Sequence, residues 1–207
     1  SAGAPHRFTS AGSTIVYRDN LFGPAFANNT LTSEPVHNLI HRRVLQPAGA
    51  TFTSTRAAGR AHDEFLASSD SWFRPTALRI GPDGALWVAD MYRLVIEHPQ
   101  WIDDQEEKRL FLRAGHDRGR IYRVVPVGEP RREIPALGNF TTEKLVAALS
   151  SSSGWQRDRA QQRLVDQQDP AAVKLLTKMV TTSKNPLARL HALCTLGGLE
   201  AITPEVL

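Results

Sequence analysis

Near residue 130 the hydrophobic period of this chain changes, and that change limits the folds open to it more than any other feature. Up to about Gly128 the apolar residues come in short, β-branched and aromatic runs between turn residues. From about Thr141 they recur every three to four positions, as on one face of a helix. The segment between them, Gly128-Glu129-Pro130-Arg131-Arg132-Glu133-Ile134-Pro135, is closed to helix by its prolines. The pattern predicts a mixed protein, β then α, with a β-region over 1–128, a linker over 129–140 and helical repeats over 141–207.

The β-type runs are Thr14–Tyr17, Asn29–Ser33, Leu39–Val44, Ala50–Thr53, Ala77–Ile80, Ala85–Val88 and Arg120–Val125. Between the fifth and sixth, Gly81-Pro82-Asp83-Gly84 is turn chemistry and predicts a hairpin. A hairpin returns the chain to its starting end, so Arg74 and Asp90 should share one edge of the sheet. Two stretches read as copies of one unit. Leu31–Glu34 followed by Asn38–Val44 parallels Leu86–Asp90 followed by Gly119–Val125, with a longer loop, 91–118, in the second. Repetition at this scale predicts propeller blades, which bury their faces only against neighbours. The loops at Glu34–Asn38, Asp70–Arg74 and Asp90–Arg93 should then converge on one rim.

In the helical part, Thr141 or Thr142 caps a helix over 142–149, and Ser150–Gly154 breaks it. Further helices are expected over Trp155–Val165, Ala171–Val180 and Leu187–Leu196, the last two started by Asp169-Pro170 and Asn185-Pro186. Arg157, Ala160 and Leu164 recur in spacing as Arg189, Ala192 and Leu196, with Leu187 in the place of Trp155. Small residues at helix contacts with larger apolar flanks suit stacked helix pairs of an α-solenoid.

Composition excludes several classes. No apolar run is long enough to span a bilayer as a helix. The net charge of +4 is spread through the chain with Lys/Arg and Asp/Glu interleaved, so no nucleic-acid face is expected. Cys194 is the sole cysteine, which leaves no intrachain disulfide and no C-x-x-C-H haem attachment; its apolar helical setting predicts a buried small side chain. The chain reads as a segment of a longer protein, starting without Met and ending as a helix begins.

The ordered set Glu34-Pro35-Val36-His37-Asn38-Leu39-Ile40-His41-Arg42, Asp70-x-Trp72-Phe73-Arg74-Pro75, Gly81 through Asp90-x-Tyr92-Arg93, Ile96-Glu97-His98-Pro99 and Gly119–Arg123 resembles the membrane-bound dehydrogenase family. In that family a sugar- and sorbosone-dehydrogenase-like β-propeller precedes HEAT-type repeats, usually with a C-terminal cytochrome c domain. The resemblance runs from about residue 6 onward. It implies C-terminal propeller blades followed by a HEAT-like solenoid. It also implies a quinoprotein-like sugar or alcohol dehydrogenase in the periplasm or outside the cell. Pyrroloquinoline quinone and Ca²⁺ are its implied cofactors, and haem c lies only in a cytochrome domain outside this sequence, which would take the electrons. The alternative is a non-catalytic module that binds a glycan or a protein.

Candidate residues follow from their chemistry. His37 or His98 would abstract a hydroxyl proton. Glu34, Asn38, Asp70, Arg74, Asp90, Tyr92 and Arg93 would bind substrate or cofactor, with Arg and Asn for quinone carboxylates and carboxylate oxygens for Ca²⁺. Competing structural roles are plain: Asp90 and Glu34 as turn caps, with Arg74 pairing Asp90 to pin adjacent loops. The acidic run Asp103–Glu107 reads as a solvated loop, and His116 as a further residue near the rim. His41 reads as a half-buried strand residue, Trp87 as sheet core and Trp155 as packing against a neighbouring helix.

Overall fold

The computed structural model describes residues 8–206, which form antiparallel sheets followed by helices. The chain divides into two compact units. Among the described residues, one takes in those up to Tyr17 with Phe22–Gly81 and Ala85–Val127; the other takes in Arg18–Leu21, Pro82–Gly84 and those from Gly128 onward.

In the first unit, β1 (Thr14–Val16), β2 (Asn29–Glu34), β3 (Leu39–Ala48) and β4 (Thr51–Thr55) pair in that order, and short β5 (Leu66–Ala67) also pairs with β3. A second sheet joins β6 (Pro75–Ile80), β7 (Leu86–Asp90) and β8 (Arg120–Val124). All pairings are antiparallel. The expected β6–β7 hairpin is closed by a 2.9 Å bond from the Gly81 N–H to the Ala85 carbonyl. The sheets share one core, Leu31, Ile40, Phe73, Leu78, Leu86 and Val88, all buried. Each such side chain contributes roughly 1.5–3 kcal/mol on leaving water.

Alternation along β7 puts Leu86, Val88 and Asp90 inward, so Trp87 faces out and is 37% exposed rather than core. His41, expected half-buried, is buried with Nδ1 2.6 Å from Glu64 Oε2. The acidic run is not a loop: α1 (Asp104–Arg109) forms there, fully solvated, with the Asp103 side chain accepting from the Gln105 N–H at 2.9 Å. Asp103 as N-cap with Glu106 three residues on is a capping-box spacing, which favours a helix start.

In the second unit the helices are α2 (Thr142–Ala148), α3 (Gly154–Gln167), α4 (Ala171–Thr182) and α5 (Pro186–Gly198). Each start has an identifiable donor sink. The side chains of Thr141, Ser153 and Asn185 accept first-turn amides, and Asp169 accepts the Ala171 N–H at 2.9 Å. A 3-10 turn at Leu137–Asn139 precedes them and buries Leu137. Helix α2 packs on α3 and α4, and α5 packs on α3 and α4. Ala160, Leu164, Ala192 and Leu196 lie fully buried in their common core.

The sequence repeat therefore holds at its Ala and Leu positions and fails at its arginines. Arg157 is buried and donates to the Ser151 carbonyl at 2.6 Å, whereas Arg189 is exposed. Trp155 is half-buried, and its counterpart Leu187 is exposed. Cys194 is exposed too, on the outer side of α5, so the apolar composition of that helix does not place it inward.

The last turn of α5 carries two glycines with opposite surroundings. A Cβ on Gly198 would lie 2.6 Å from a Val165 methyl on α3, whereas one on Gly197 would meet only the tip of Ile202 at 3.5 Å. Gly197→Ala should raise stability by about 0.5–1 kcal/mol, and Gly198→Ala should lower it by about 1–3 kcal/mol as Val165 is displaced. Urea denaturation of both variants checks the opposite signs.

Candidate functional site

Strands β2 and β7 each end in a carboxylate whose side chain is completely buried, Glu34 and Asp90. A buried charge persists only where hydrogen-bond donors replace water, and both acids are fully supplied. Glu34 Oε1 accepts the backbone N–H groups of Ser10 (2.7 Å) and Thr9 (3.2 Å), and the Thr9 hydroxyl at 3.4 Å. Its Oε2 accepts the His37 N–H at 2.6 Å and lies 2.9 Å from His37 Nδ1. Burial raises the Glu34 pKa, but the amides of His37 and Ser10 and the His37 ring outweigh it and hold the group below its ordinary 4.5.

Asp90 is likewise surrounded by donors. Oδ1 accepts the Arg74 and Tyr92 backbone N–H groups at 2.7 and 2.9 Å, and Oδ2 accepts Nε–H and Nη2–H of Arg120 at 3.0 and 2.8 Å. Arg120 is thus the ion-pair partner of Asp90, a role the sequence reading gave to Arg74. Burial lowers the Arg120 pKa, but the bond and charge of Asp90, with Tyr122 and Tyr92, raise it overall.

Arg74 spends its side chain on backbone instead. Its guanidinium donates to the carbonyls of Pro35 (2.8 Å), Val36 (3.3 Å), Arg93 (2.9 Å) and Leu94 (3.1 Å). Burial lowers its pKa, against the charges of Glu34 and Asp90, which raise it. Asn38, at φ +58°, donates its amide to the carbonyls of Ser71 (3.3 Å) and Phe73. The loops at 34–38, 70–74 and 90–94 are therefore bonded into one rim.

The rest of the rim follows from Tyr92, at φ +50°, a conformation uncommon for an aromatic residue. It places the ring 5.5 Å from Trp72 and 3.9 Å beneath the Arg120 guanidinium. Asp70 Oδ1 accepts the Trp72 N–H at 3.0 Å, while Oδ2 lies 3.6 Å from Arg120 Nη2. The side chains of Asp70 and Arg120 are 41% and 38% exposed, so both are open to a ligand. Arg93 donates to the Arg113 carbonyl at 2.8 Å and clips the 111–119 loop to the rim. Gly115, at φ +87°, meets the Tyr92 carbonyl so closely that no side chain fits there.

Of the sequence candidates, Glu34, His37, Asn38, Asp70, Arg74, Asp90, Tyr92 and Arg93 belong to this rim. His98 does not join their hydrogen bonds: it accepts the Gln100 N–H at 3.3 Å within its own turn and is exposed. His116 likewise contacts the Arg113 carbonyl, at 3.0 Å. The sequence reading missed Arg120, although it stands directly across the ladder from Asp90; an arginine opening the strand after a strand-ending acid was the available signal.

What the rim can do chemically is narrowed by these bonds. Ca²⁺ needs free carboxylate oxygens and a quinone needs free donors. Glu34, Asp90, Asn38 and Arg74 have committed theirs to the protein, and no group of three or more His, Cys, Asp or Glu able to hold a metal occurs among the described residues. Those four residues therefore offer neither cofactor a free group. Two features remain available. One is the aromatic and polar face of Trp72, Tyr92, Tyr122, Asp70 and Arg120. The other is the His37 imidazole, 40% exposed, oriented by Glu34 and with no partner at Nε2 among the described residues.

Because the Glu34 pKa is lower in the folded state, its stabilisation is complete above its unfolded value near 4.5. It is lost as pH falls through the lower folded value. Glu34→Gln should cost about 1–3 kcal/mol at neutral pH and flatten the acid limb of a stability–pH curve below 4.5. Chemical denaturation from pH 3 to 7 is the measurement; parallel curves for the two proteins would refute it.

Residues 1–128 match the family model described as Domain of unknown function (DUF7133), and the chain belongs to that family. No curated protein and no solved structure matches it.

Proposed function

We propose that this member of the DUF7133 family is a recognition module whose β-rim binds a sugar-like molecule, its sheets serving as propeller blades and its helix pairs as HEAT-type repeats. The observation that carries the reading is the half-exposed Arg120 guanidinium, 3.9 Å above Tyr92, with Asp70 at 3.6 Å and Trp72 alongside. Apolar C–H faces of a sugar stack on aromatic rings, and its hydroxyl pairs bond to a carboxylate and a guanidinium side by side. A cation above a tyrosine ring is held in place by the ring quadrupole, so Arg120 meets a ligand preorganised. No helix is long and apolar enough to cross a membrane among the described residues.

One observation favours a second reading, the sugar or alcohol dehydrogenase implied by the resemblance, in the periplasm or outside the cell. His37, with Nδ1 fixed by buried Glu34, is set up as a general base toward a hydroxyl group. In that reading the proton goes to His37 Nε2, and the hydride goes to an acceptor that these residues do not hold, with a cytochrome c domain taking the electrons onward.

Calorimetric titration of the chain with a panel of mono- and oligosaccharides tests the first reading. Saturable binding should weaken at least tenfold in Trp72→Ala and severalfold in Asp70→Asn, which keeps the turn acceptor. Absence of binding to every sugar, or equal binding by both variants, would sink it. Dye-linked turnover of the same sugars, abolished in His37→Gln, would move the assignment to the second reading.

A further inference from the structure

A second candidate site lies in the first unit and shares no residue with the rim. It is a cleft of about 310 Å³ walled by Phe26 and Phe65 and edged by Arg42, Arg60, Asp63 and Glu64. The two phenyl rings stand 5.8 Å apart, edge to face, beside Phe22, which gives the cleft an apolar wall. Its volume is at the lower end for small-molecule sites.

Charge pairing in the cleft is lopsided. Asp63 is taken by Arg60 at 2.8 Å. Glu64 is shared between Arg56 at 2.7 Å and His41 Nδ1 at 2.6 Å. Arg42 has no carboxylate partner among the described residues. Its Nε donates to Asn29 Oδ1 at 2.6 Å, its Nη2 donates to the Ala25 carbonyl, and its guanidinium lies 3.7 Å from the Phe26 centroid. Those contacts fix the plane of the guanidinium and leave Nη1 without a hydrogen-bond partner among the described residues. Burial, and then the nearby charge of Arg60, lower the Arg42 pKa. The fold thus holds a half-buried, oriented cation without a carboxylate partner among the described residues, while the acids around it are paired with Arg60, Arg56 and His41.

We propose that this cleft binds a small organic anion, with its carboxylate or phosphate on Arg42 and its apolar body against Phe26 and Phe65. Arginine is the side chain whose planar fork suits an oxyanion. Arg60 neutralises Asp63 at the edge of the cleft, so its loss would leave an unpaired carboxylate near the anion, and the attraction of Arg42 should weaken as salt screens it. Neither a bare inorganic ion nor a neutral ring would use both halves of the site.

Titrations of the full chain with benzoate, phenyl phosphate, inorganic phosphate and benzyl alcohol, followed by heteronuclear NMR shifts of the Phe26, Arg42 and Phe65 amides, test this. At least one aromatic anion should bind saturably, at least tenfold more tightly than benzyl alcohol and inorganic phosphate, and more weakly as salt rises. Arg42→Gln should reduce that affinity tenfold or more. Should that variant fail to fold, Arg60→Gln decides, because its side chain is exposed; a loss of about threefold is expected. Lack of saturable binding by either aromatic anion, equal binding of benzyl alcohol, or wild-type affinity in whichever of the two variants folds would overturn the proposal.

Discussion

The Arg74 guanidinium is the constraint on which the β-rim depends. It bonds Pro35 and Val36, in the loop after β2, and Arg93 and Leu94, in the loop after β7. Strand pairing alone cannot join these loops, since they extend from different sheets. Carbonyl oxygens at four places around one centre need donors fanned in a plane, which arginine has and lysine lacks. Partial burial lowers the pKa of the cation, and the charges of Glu34 and Asp90 counter this only in part. Those acids in turn accept backbone amides of the same loops, Glu34 from His37 and Asp90 from Arg74 and Tyr92. Cation, carboxylates and loop backbone stabilise one another, so the rim is a single polar network.

This network determines which chemistry is left. Residue types that in isolation suggest metal or quinone binding are, at Glu34, Asn38, Arg74 and Asp90, the fabric of the rim. Groups with free capacity sit one step outward: Asp70, Trp72, Arg120 and the outer nitrogen of His37. The proposed binding face, built on fixed loops, has little conformational entropy to lose on meeting a ligand. That suits recognition of a rigid, hydroxyl-rich molecule, and it would also suit proton transfer at His37 if an electron acceptor were supplied beside it.

Much of the fold was legible because local signals agreed. Short β-branched and aromatic runs with turn residues between them located seven of the strands, and Asn185-Pro186 and Thr141 located helix starts to within a residue. The convergence of the rim was also legible, through hairpin geometry and the repeat that matches Glu34 with Asp90. Partner identity was not. Asp90 pairs with Arg120 across a loop of 91–118, and nothing local gives the register of two strands so far apart. Alternation tells which side chains share a face, but not which face another layer covers; hence Trp87 points outward and Val88 inward. In α5 the same limit applies to Cys194, because two of the polar side chains of that helix, His191 and Thr195, are buried, so polarity does not mark its outer side. Arg157 shows the converse case, a buried cation bonded to a loop carbonyl at Ser151 that spacing cannot reveal.

Native-state hydrogen exchange on Arg74→Lys tests the claim of a single rim network most directly. The account predicts that the amides of His37, Met91 and Arg93 lose protection together, by more than tenfold, while those of Leu78 and Val88 in the paired strands keep theirs. Unchanged protection at all three, or loss in one loop alone, would show that the two loops hold their places independently and would contradict it.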